Sequence, residues 1–388
     1  MKETTTLAEI NSYTGSTINP LNSPDTTYEL YSVPSFDNSF PEVLQGKEIG
    51  SSKATVEEGD VLVCKINPRI NRVWVVKHNT NYPLLASSEW IVVRSPENNS
   101  DYLKWYFRSP YIMRLMVSQV TGIGGSLTRA QPKQVATYPV PLVSYEEQRG
   151  IAEILNRIEG LAKKREYQLN KLDELVKARF VELFGNPISN PLNWDTYQLG
   201  EFLTRIDNGR SFICSDKPRI GNRPAVLKLS ASTYGDYRPA ENKAILDEGM
   251  FIESAEVHSG DLLFTRKNTP ELVGMAAYIQ ETPPKLMMPD LIFRLVPNER
   301  MNAVFLWQLI NCKEFRPVIQ GISGGSAKSM SNISKERLRK IRVICPPKSV
   351  QDELIPFISQ VNKSKLSIQA SLDQLETMKR SLMQKYFG

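Results

Sequence analysis

Residues 144–185, SYEEQRGIAEILNRIEGLAKKREYQLNKLDELVKARFVELFG, constrain this chain more than any other stretch. Ser144 stands at an N-cap position with Glu147 three residues on, the spacing of a capping box. Ile151, Leu155, Ile158, Ala162, Leu169, Leu172, Val176 and Leu183 then recur in alternating steps of four and three, interrupted by Arg165 and Arg179. That is the 3.5-residue repeat of a coiled-coil seam. The pattern returns at the end of the chain. Ser349 and Asp352 read as the second cap, and Leu354, Ile358, Val361, Ile368, Leu372, Leu375, Leu382 and Tyr386 as the second seam. Leu354 follows Ile151 by 203 residues, and Phe387-Gly388 follows Phe184-Gly185 by the same interval. A globular region followed by a long helix is therefore stated twice, a domain duplication rather than a short-period solenoid.

The expected fold is α+β. Globular regions at 1–143 and 186–347 alternate with long helices at 144–185 and 348–388. In the first region, strands are expected from Val61 to Lys65, Arg72 to Val76 and Trp90 to Val93. A helix is expected from Ser100 to Val120, with Leu103, Tyr106, Phe107, Met113 and Met116 on its apolar face. The glycine-rich turn GIGGS follows at 122–126. The second region repeats this order. Gly260-Asp261-Leu262-Leu263 matches Gly59-Asp60-Val61-Leu62, a helix is expected over 303–320, and GISGGS stands at 321–326. Pro356, inside the second helix where the first has Glu153, should kink or fray its opening turns.

Each seam must be buried, most simply by packing the two helices on each other. An antiparallel pair would place the globular regions at opposite ends, about a pseudo-two-fold axis. At 1.5 Å per residue each helix is roughly 55–60 Å long, a spacer that suits a split DNA site with half-sites about 34–36 Å apart.

Chemistry is poorly supplied. His78 and His258 are the only histidines, too little material for a histidine-based metal site or a Ser/His triad. GISGGSAKS at 321–329 lacks the G-K-[ST] ending of a phosphate loop. Neither Asn67-Pro68-Arg69 nor Pro283-Pro284-Lys285 forms the polar-Pro-Pro-aromatic loop that amino-methyltransferases use on a flipped base. Pro289-Asp290 lacks the downstream acid and lysine of a nuclease. Cys64, Cys214, Cys312 and Cys345 are scattered and read as reduced thiols. No apolar run reaches 18 residues and no signal peptide opens the sequence, so a cytoplasmic protein without membrane contact is expected.

The net charge of +6 is uneven. Residues 1–144 and 145–185 are each balanced, 186–344 carry 21 basic against 17 acidic residues, and 345–388 carry six against four. Any polyanion should thus meet the globular regions rather than the helices. The candidate DNA contacts are Lys65, Arg69, Arg72, Lys77 and Arg129 in the first region, and Arg205, Arg210, Arg266, Lys267 and Lys328 in the second. Arginine can read guanine bidentately and lysine more often meets phosphate. Lys133, Lys217 and Arg219 lie nearby in sequence. The glycine-rich turns either cradle phosphate through backbone N–H groups or simply let the chain turn after a helix.

Four features together resemble the specificity subunit of type I restriction–modification enzymes: the PxP-x-x-S-x-x-E-Q junction from Pro139 to Gln148, its second copy CPPKSVQDE at 345–353, the helices ending in LFG and YFG, and the Trp194-x-x-x-x-Leu199-Gly200-Glu201 opening. The resemblance covers the whole chain. The first region departs from it, having no Trp to match Trp194 and only Leu7–Glu9 to echo Leu199–Glu201. The resemblance implies two target-recognition domains that read a bipartite, asymmetric double-stranded DNA site. It implies a spacer whose seam (Ile151, Leu155, Ile158, Leu169, Leu172, Leu354, Ile358, Val361, Leu372, Leu375) underlies docking of two methyltransferase subunits, joined by restriction subunits. It also implies no catalytic site in this chain, with S-adenosylmethionine, ATP and Mg²⁺ used by the partners. A non-catalytic coiled-coil scaffold whose globular regions bind protein is the rival reading.

Overall fold

The computed structural model describes residues 3–121, 128–324 and 330–388. It divides into two compact units, residues 1–167 with 368–388 and residues 168–367. Both long helices, Tyr145–Phe184 and Leu354–Phe387, therefore contribute to each unit.

In the first unit, Val61–Cys64 pairs antiparallel with both Val73–Val75 and Trp90–Val93. A second sheet runs in the order Thr17–Ile18, Lys53–Thr55, Leu84–Ala86, Thr27–Tyr31, Glu42–Gln45, with Thr27–Tyr31 and Leu84–Ala86 parallel. Thr4–Thr6 pairs with Pro139–Pro141, the strand leading into the first long helix. The expected helix over 100–120 is two pieces, Ser100–Phe107 and Pro110–Ser118. Ser109 caps the second piece and Pro110 cannot donate the bond that would join them. Ile112 rather than Met113 is the buried residue there.

The second unit repeats the plan. Leu262–Thr265 pairs antiparallel with Ile292–Pro297 and Ala276–Tyr278, and Leu203–Asn208 extends this sheet beside Ile292–Pro297. Ala225–Leu227 lies parallel to Leu286–Met287 and antiparallel to Asn242–Ala244. Thr196–Gln198 pairs with Arg342–Ile344 as Thr4–Thr6 does with Pro139–Pro141. The openings also agree: Thr6 N–H donates to Glu9 and Gln198 N–H to Glu201, each at 2.9 Å, and Leu7 and Leu199 are buried. The expected helix over 303–320 is again two pieces, Ala303–Asn311 and Arg316–Gly321.

The seam is buried as its periodicity requires. Ile151, Leu155, Ile158, Leu354, Ile358, Val361 and Leu372 are buried, and Leu169, Leu172 and Leu375 half-buried. In the second unit, Asp173 pairs with Lys365 and Arg179 with Glu353, the latter at 3.9 Å. As one number rises the other falls, so these helix segments run antiparallel. In the first unit Lys379 lies 3.8 Å from Glu159. Each globular region also takes the end of a helix it does not itself lead into. Phe387 packs against Tyr102 and Tyr106 in the first unit, and Phe184 against Phe305 in the second, with ring centroids 5.3, 6.3 and 4.7 Å apart.

The caps differ from the sequence reading. Ser144 Oγ does accept from Glu147 N–H, at 3.3 Å. In the second copy the helix begins at Lys348 with Pro347 at the N-cap, so Ser349 lies inside the first turn. Pro347 is the residue 203 after Ser144. The helix Lys348–Asp352 then breaks at Glu353 before Leu354–Phe387 begins. Pro356 explains the break, since it has no N–H for the Asp352 carbonyl and its ring crowds that oxygen.

Two glutamines fasten helix to domain. Gln148 is buried; it accepts from Asn99 N–H at 2.8 Å and donates to Asn98 Oδ1 at 2.7 Å and Val143 O at 3.1 Å. Gln351, 203 residues on, is equally buried, accepts from Asn302 N–H at 2.8 Å, and donates to Pro346 O and Arg300 O. Asn99 and Asn302 are themselves the N-caps of Ser100–Phe107 and Ala303–Asn311.

Glu159 adds a pH dependence to the first unit. Burial pushes its carboxyl up, but Arg108 at 2.7 Å, with Lys379 and Lys104, outweighs burial and holds it below its ordinary 4.5. A carboxylate depressed in the folded state stabilises it above the unfolded value, and that contribution is lost as pH falls through the folded one. The melting temperature of the full chain should therefore fall as the pH is lowered from about 5, near the unfolded carboxyl's value, downward through the folded one. Glu159→Gln should flatten that dependence; an unchanged slope would show that the pair contributes nothing.

Candidate nucleic-acid interface

Antiparallel pairing brings distant cations to one edge of each central sheet. In the second unit Leu203–Asn208 and Leu262–Thr265 both end where Ile292–Pro297 begins. Gly209-Arg210, Arg266-Lys267 and Pro289–Leu291 therefore meet. Arg210 N–H donates to Met288 O, Arg266 N–H to Leu291 O, each at 3.0 Å, and Ser211 Oγ lies 2.5 Å from Asp290 Oδ1. Lys267 and Asn268 pair with Asn332 and Ser331 just after the second glycine-rich turn.

The first unit builds the same edge. Lys65 N–H donates to Glu89 O at 2.9 Å, and Ala130 N–H to Lys65 O at 2.9 Å, which sets Arg129 alongside. The turn from Asn67 to Arg72 closes this edge. Asn67 and Asn71 both adopt left-handed φ, 47° and 50°, on either side of Pro68–Ile70, and Ile70 is 54% exposed. Among the described residues, four buried polar atoms here have no hydrogen-bond partner: Asn67 Oδ1, Asn71 Oδ1, Arg72 Nε and Glu89 Oε2. Backbone strain and unsatisfied polar groups collect at binding sites more than elsewhere.

The candidates are thus not equivalent. Lys65, Arg69, Arg72, Arg129, Arg210, Arg266 and Lys267 share the edge of their own unit. Lys77 does not. It follows Val73–Val75 and lies at the opposite end of the sheet, where Tyr31 Oη donates to its carbonyl at 2.6 Å. Arg205 sits mid-strand facing Asp207 at 3.1 Å. Lys328 and residues 122–127 lie outside the described residues, as does the end of the second glycine-rich turn.

Several cations are already engaged. Arg72 lies 3.7 Å from Asp37, Arg129 lies 3.2 Å from Glu89, and Arg266 sits over the Phe293 ring at 5.0 Å. Among the described residues no ion pair holds Lys65, Arg210 or Lys267. The edges therefore offer a few uncommitted positive charges within a scaffold of paired ones. Burial pushes the Cys64 thiol up, and burial with the Glu314 carboxylate pushes Cys312 up to about 11, which disfavours the thiolate at both. Among the described residues no cluster of three metal-ligating side chains occurs, and no helix is long and apolar enough to cross a membrane.

The sequence matches no family profile. Over 217 residues, 55% of this chain, it is 29% identical to the specificity subunit of the type I restriction enzyme EcoEI from Escherichia coli. Over 204 residues it is 22% identical to a putative type I specificity subunit, MjaX, from Methanocaldococcus jannaschii. The matched stretches cover 36% and 46% of those proteins, so the chain spans less than half the length of the curated relatives it matches. Two solved structures cover nearly all of it. The type I restriction–modification S subunit from M. genitalium superposes with a TM-score of 0.59 at 11% identity, over 100% of this chain and 96% of that one. A chain from a structural study of complex assembly and conformational transition in a type I restriction–modification system gives 0.58 at 17%, over 99% and 97%. The fold is that of a type I specificity subunit. Within it, the long helices supply the buried seam and the two globular regions adjoin it.

Sequence reasoning missed the glutamine fasteners of this specificity-subunit fold. Gln148 and Gln351 stood inside the quoted junctions, and their shared 203-residue interval was the available signal. It also missed Asn67 and Asn71, for which only the Asn-Pro turn gave a hint.

Proposed function

We propose that this chain is the DNA-reading subunit of a type I restriction–modification complex, without a catalytic site of its own. Each globular region reads one half of a bipartite, asymmetric double-stranded site through its cation-lined sheet edge. The coiled coil docks two methyltransferase subunits, and restriction subunits join them in the cytoplasm. S-adenosylmethionine, ATP and Mg²⁺ serve the partners. One observation carries the reading: a single frame, built twice, presents different side chains at the same edge. Lys65, Asn67 and Arg72 occupy it in one copy, Arg266, Lys267 and Arg210 in the other.

Exposed apolar residues on the helices support docking. Leu175, 47% exposed, and Phe357 line a shallow groove in the second unit, and Met378, 53% exposed, lines one in the first.

Methylome sequencing of hosts with and without the gene would give the motif and the modified base. Binding of the assembled complex to that duplex should fall steeply with salt, because phosphate contacts release counterions. Lys65→Ala with Lys267→Ala should lower the log–log salt slope by about 2. DNA binding that is absent or indifferent to salt would favour the scaffold reading.

A further inference from the structure

The second unit carries a loop, residues 209–223, whose construction is unusual. It is tied down along its length. Arg210 N–H donates to Met288 O, Ser215 N–H to Ala244 O at 2.9 Å, and Arg219 N–H to Asn242 Oδ1 at 2.9 Å. The Arg219 guanidinium reaches Pro284 O at 2.6 Å and Arg223 O at 3.1 Å. At Gly209 the backbone passes so close to residues 288–289 that an added Cβ would lie 2.2 Å from Pro289 O. Phe212 and Cys214 turn inward onto the cluster around Val226 and Met287.

Yet this anchored loop holds Ile213 outward at 87% exposure and Ile220 at 83%, with Leu246 beside it at 67%. Because the loop is anchored, these side chains are held in water rather than folded inward, which makes them its candidate contact residues. The surrounding charge selects the partner. Residues 209–223 carry four basic residues against one acidic. Asp216 lies 3.9 Å from Lys243 and Arg223 lies 3.6 Å from Glu248, while no ion pair holds Arg210 or Lys217 among the described residues. The loop leaves the sheet at Asn208, on the edge that holds Arg266 and Lys267. Exposed isoleucines on a basic, anchored loop fit a polyanion with apolar faces inside it. Duplex DNA is such a partner: phosphates flank the groove, while thymine methyls and unstacked base faces lie within.

We propose that Ile213 and Ile220 press onto bases of the second half-site, steered there by Arg210 and Lys217. This rests on the DNA-reading function proposed above and assigns its apolar, base-directed part to named residues. Ile213→Ser/Ile220→Ser should leave the fold intact, because both side chains are in solvent.

The test uses the complex assembled with its methyltransferase subunits and a duplex carrying the methylome-defined site, with 2-aminopurine in the second half-site. The wild type should change the 2-aminopurine fluorescence on binding. The isoleucine double variant should bind this site about tenfold or more weakly, with the fluorescence change lost, the salt slope unchanged and non-cognate binding unaltered. Arg210→Ala/Lys217→Ala should instead lower the salt slope. If the double variant binds the site as tightly as wild type with the same fluorescence change, the assignment is overturned while the DNA-reading function stands. If it loses the methyltransferase subunits instead, the loop is a protein-docking element and the assignment is again overturned. If the wild-type complex binds no duplex at any salt concentration, the parent function itself has failed.

Discussion

Arg294→Met should destabilise the second globular region by about 3–5 kcal/mol, the range for breaking a buried ion pair from one side. Arg294 is 8% exposed in the middle of the four-stranded sheet. Its Nε lies 3.0 Å from Asp207 Oδ2 and its Nη1 3.0 Å from Asp261 Oδ2. The same guanidinium donates to the carbonyls of Glu256 and Ser254, each at 2.8 Å. Burial alone would lower its pKa, but the two carboxylates more than compensate and hold it above its ordinary value. Methionine fills much of the volume and none of the charge, so two largely buried carboxylates and two carbonyls lose their partner. Urea unfolding of the full chain should show the loss in the midpoint. Adding Asp207→Asn and Asp261→Asn should recover part of it, because the uncompensated charges are then gone. A cost below about 1 kcal/mol, the level of a surface pair, would mean that the site is wetter than its burial indicates. The edge cations Arg210 and Arg266 are held by the same sheet, so the DNA binding proposed for this edge should weaken with it.

The long helices were legible because a 3.5-residue repeat sustained over many turns is compatible with little besides a coiled-coil seam. What the repeat did not reveal is where the seam gives way to domain packing. Phe180 and Phe184 are buried at the end of the first helix, and Met383 and Phe387 at the end of the second. The rings of Phe180, Phe184 and Phe387 step off the heptad to pack on a domain helix. The second cap was misplaced by two residues because Ser349 offers a hydroxyl, whereas the register set by the 203-residue interval points to Pro347. The paired strands Thr27–Tyr31 and Leu84–Ala86 gave little signal, since short strands buried on both faces do not alternate. Arg266 and Lys267 were placed as candidates because they follow the Gly260–Leu263 match to Gly59–Leu62. Lys77 was grouped with Lys65 because both flank the same hairpin. A strand rises about 3.3 Å per residue, so crossing Val73–Val75 carries the chain to the opposite edge, a distinction that composition does not hold. The split of each domain helix was missed, although Ser109-Pro110 and Arg316-Pro317 carried its signal, since proline cannot continue the bonding from the preceding turn.

Phe184→Ala should cost about 3–5 kcal/mol, the range for emptying a buried phenylalanine site. The ring is fully buried, its centroid 4.9 Å from Phe180 and 4.7 Å from Phe305, and the backbone carbonyl of Phe184 accepts from the Trp194 indole at 3.1 Å. The side chain thus packs on its own helix and on Ala303–Asn311, its backbone is held by Trp194, and it belongs to the core cluster that also contains Leu354 and Ile358 of the second long helix. The cavity has little freedom to collapse, because each wall is tied to a different part of the chain. Val181→Ala, one turn earlier and 48% exposed, is the control and should change stability by less than about 0.5 kcal/mol. Phe387→Ala tests the equivalent position in the first unit. Its ring is 4% exposed and packs on Tyr102 and Tyr106, so a loss of the same order is expected, though one tempered by fraying at a helix end. If Phe184→Ala proved as mild as Val181→Ala in chemical denaturation, the helix end would not be docked on the second domain, and the frame that holds its cation-lined sheet edge would have to be drawn differently.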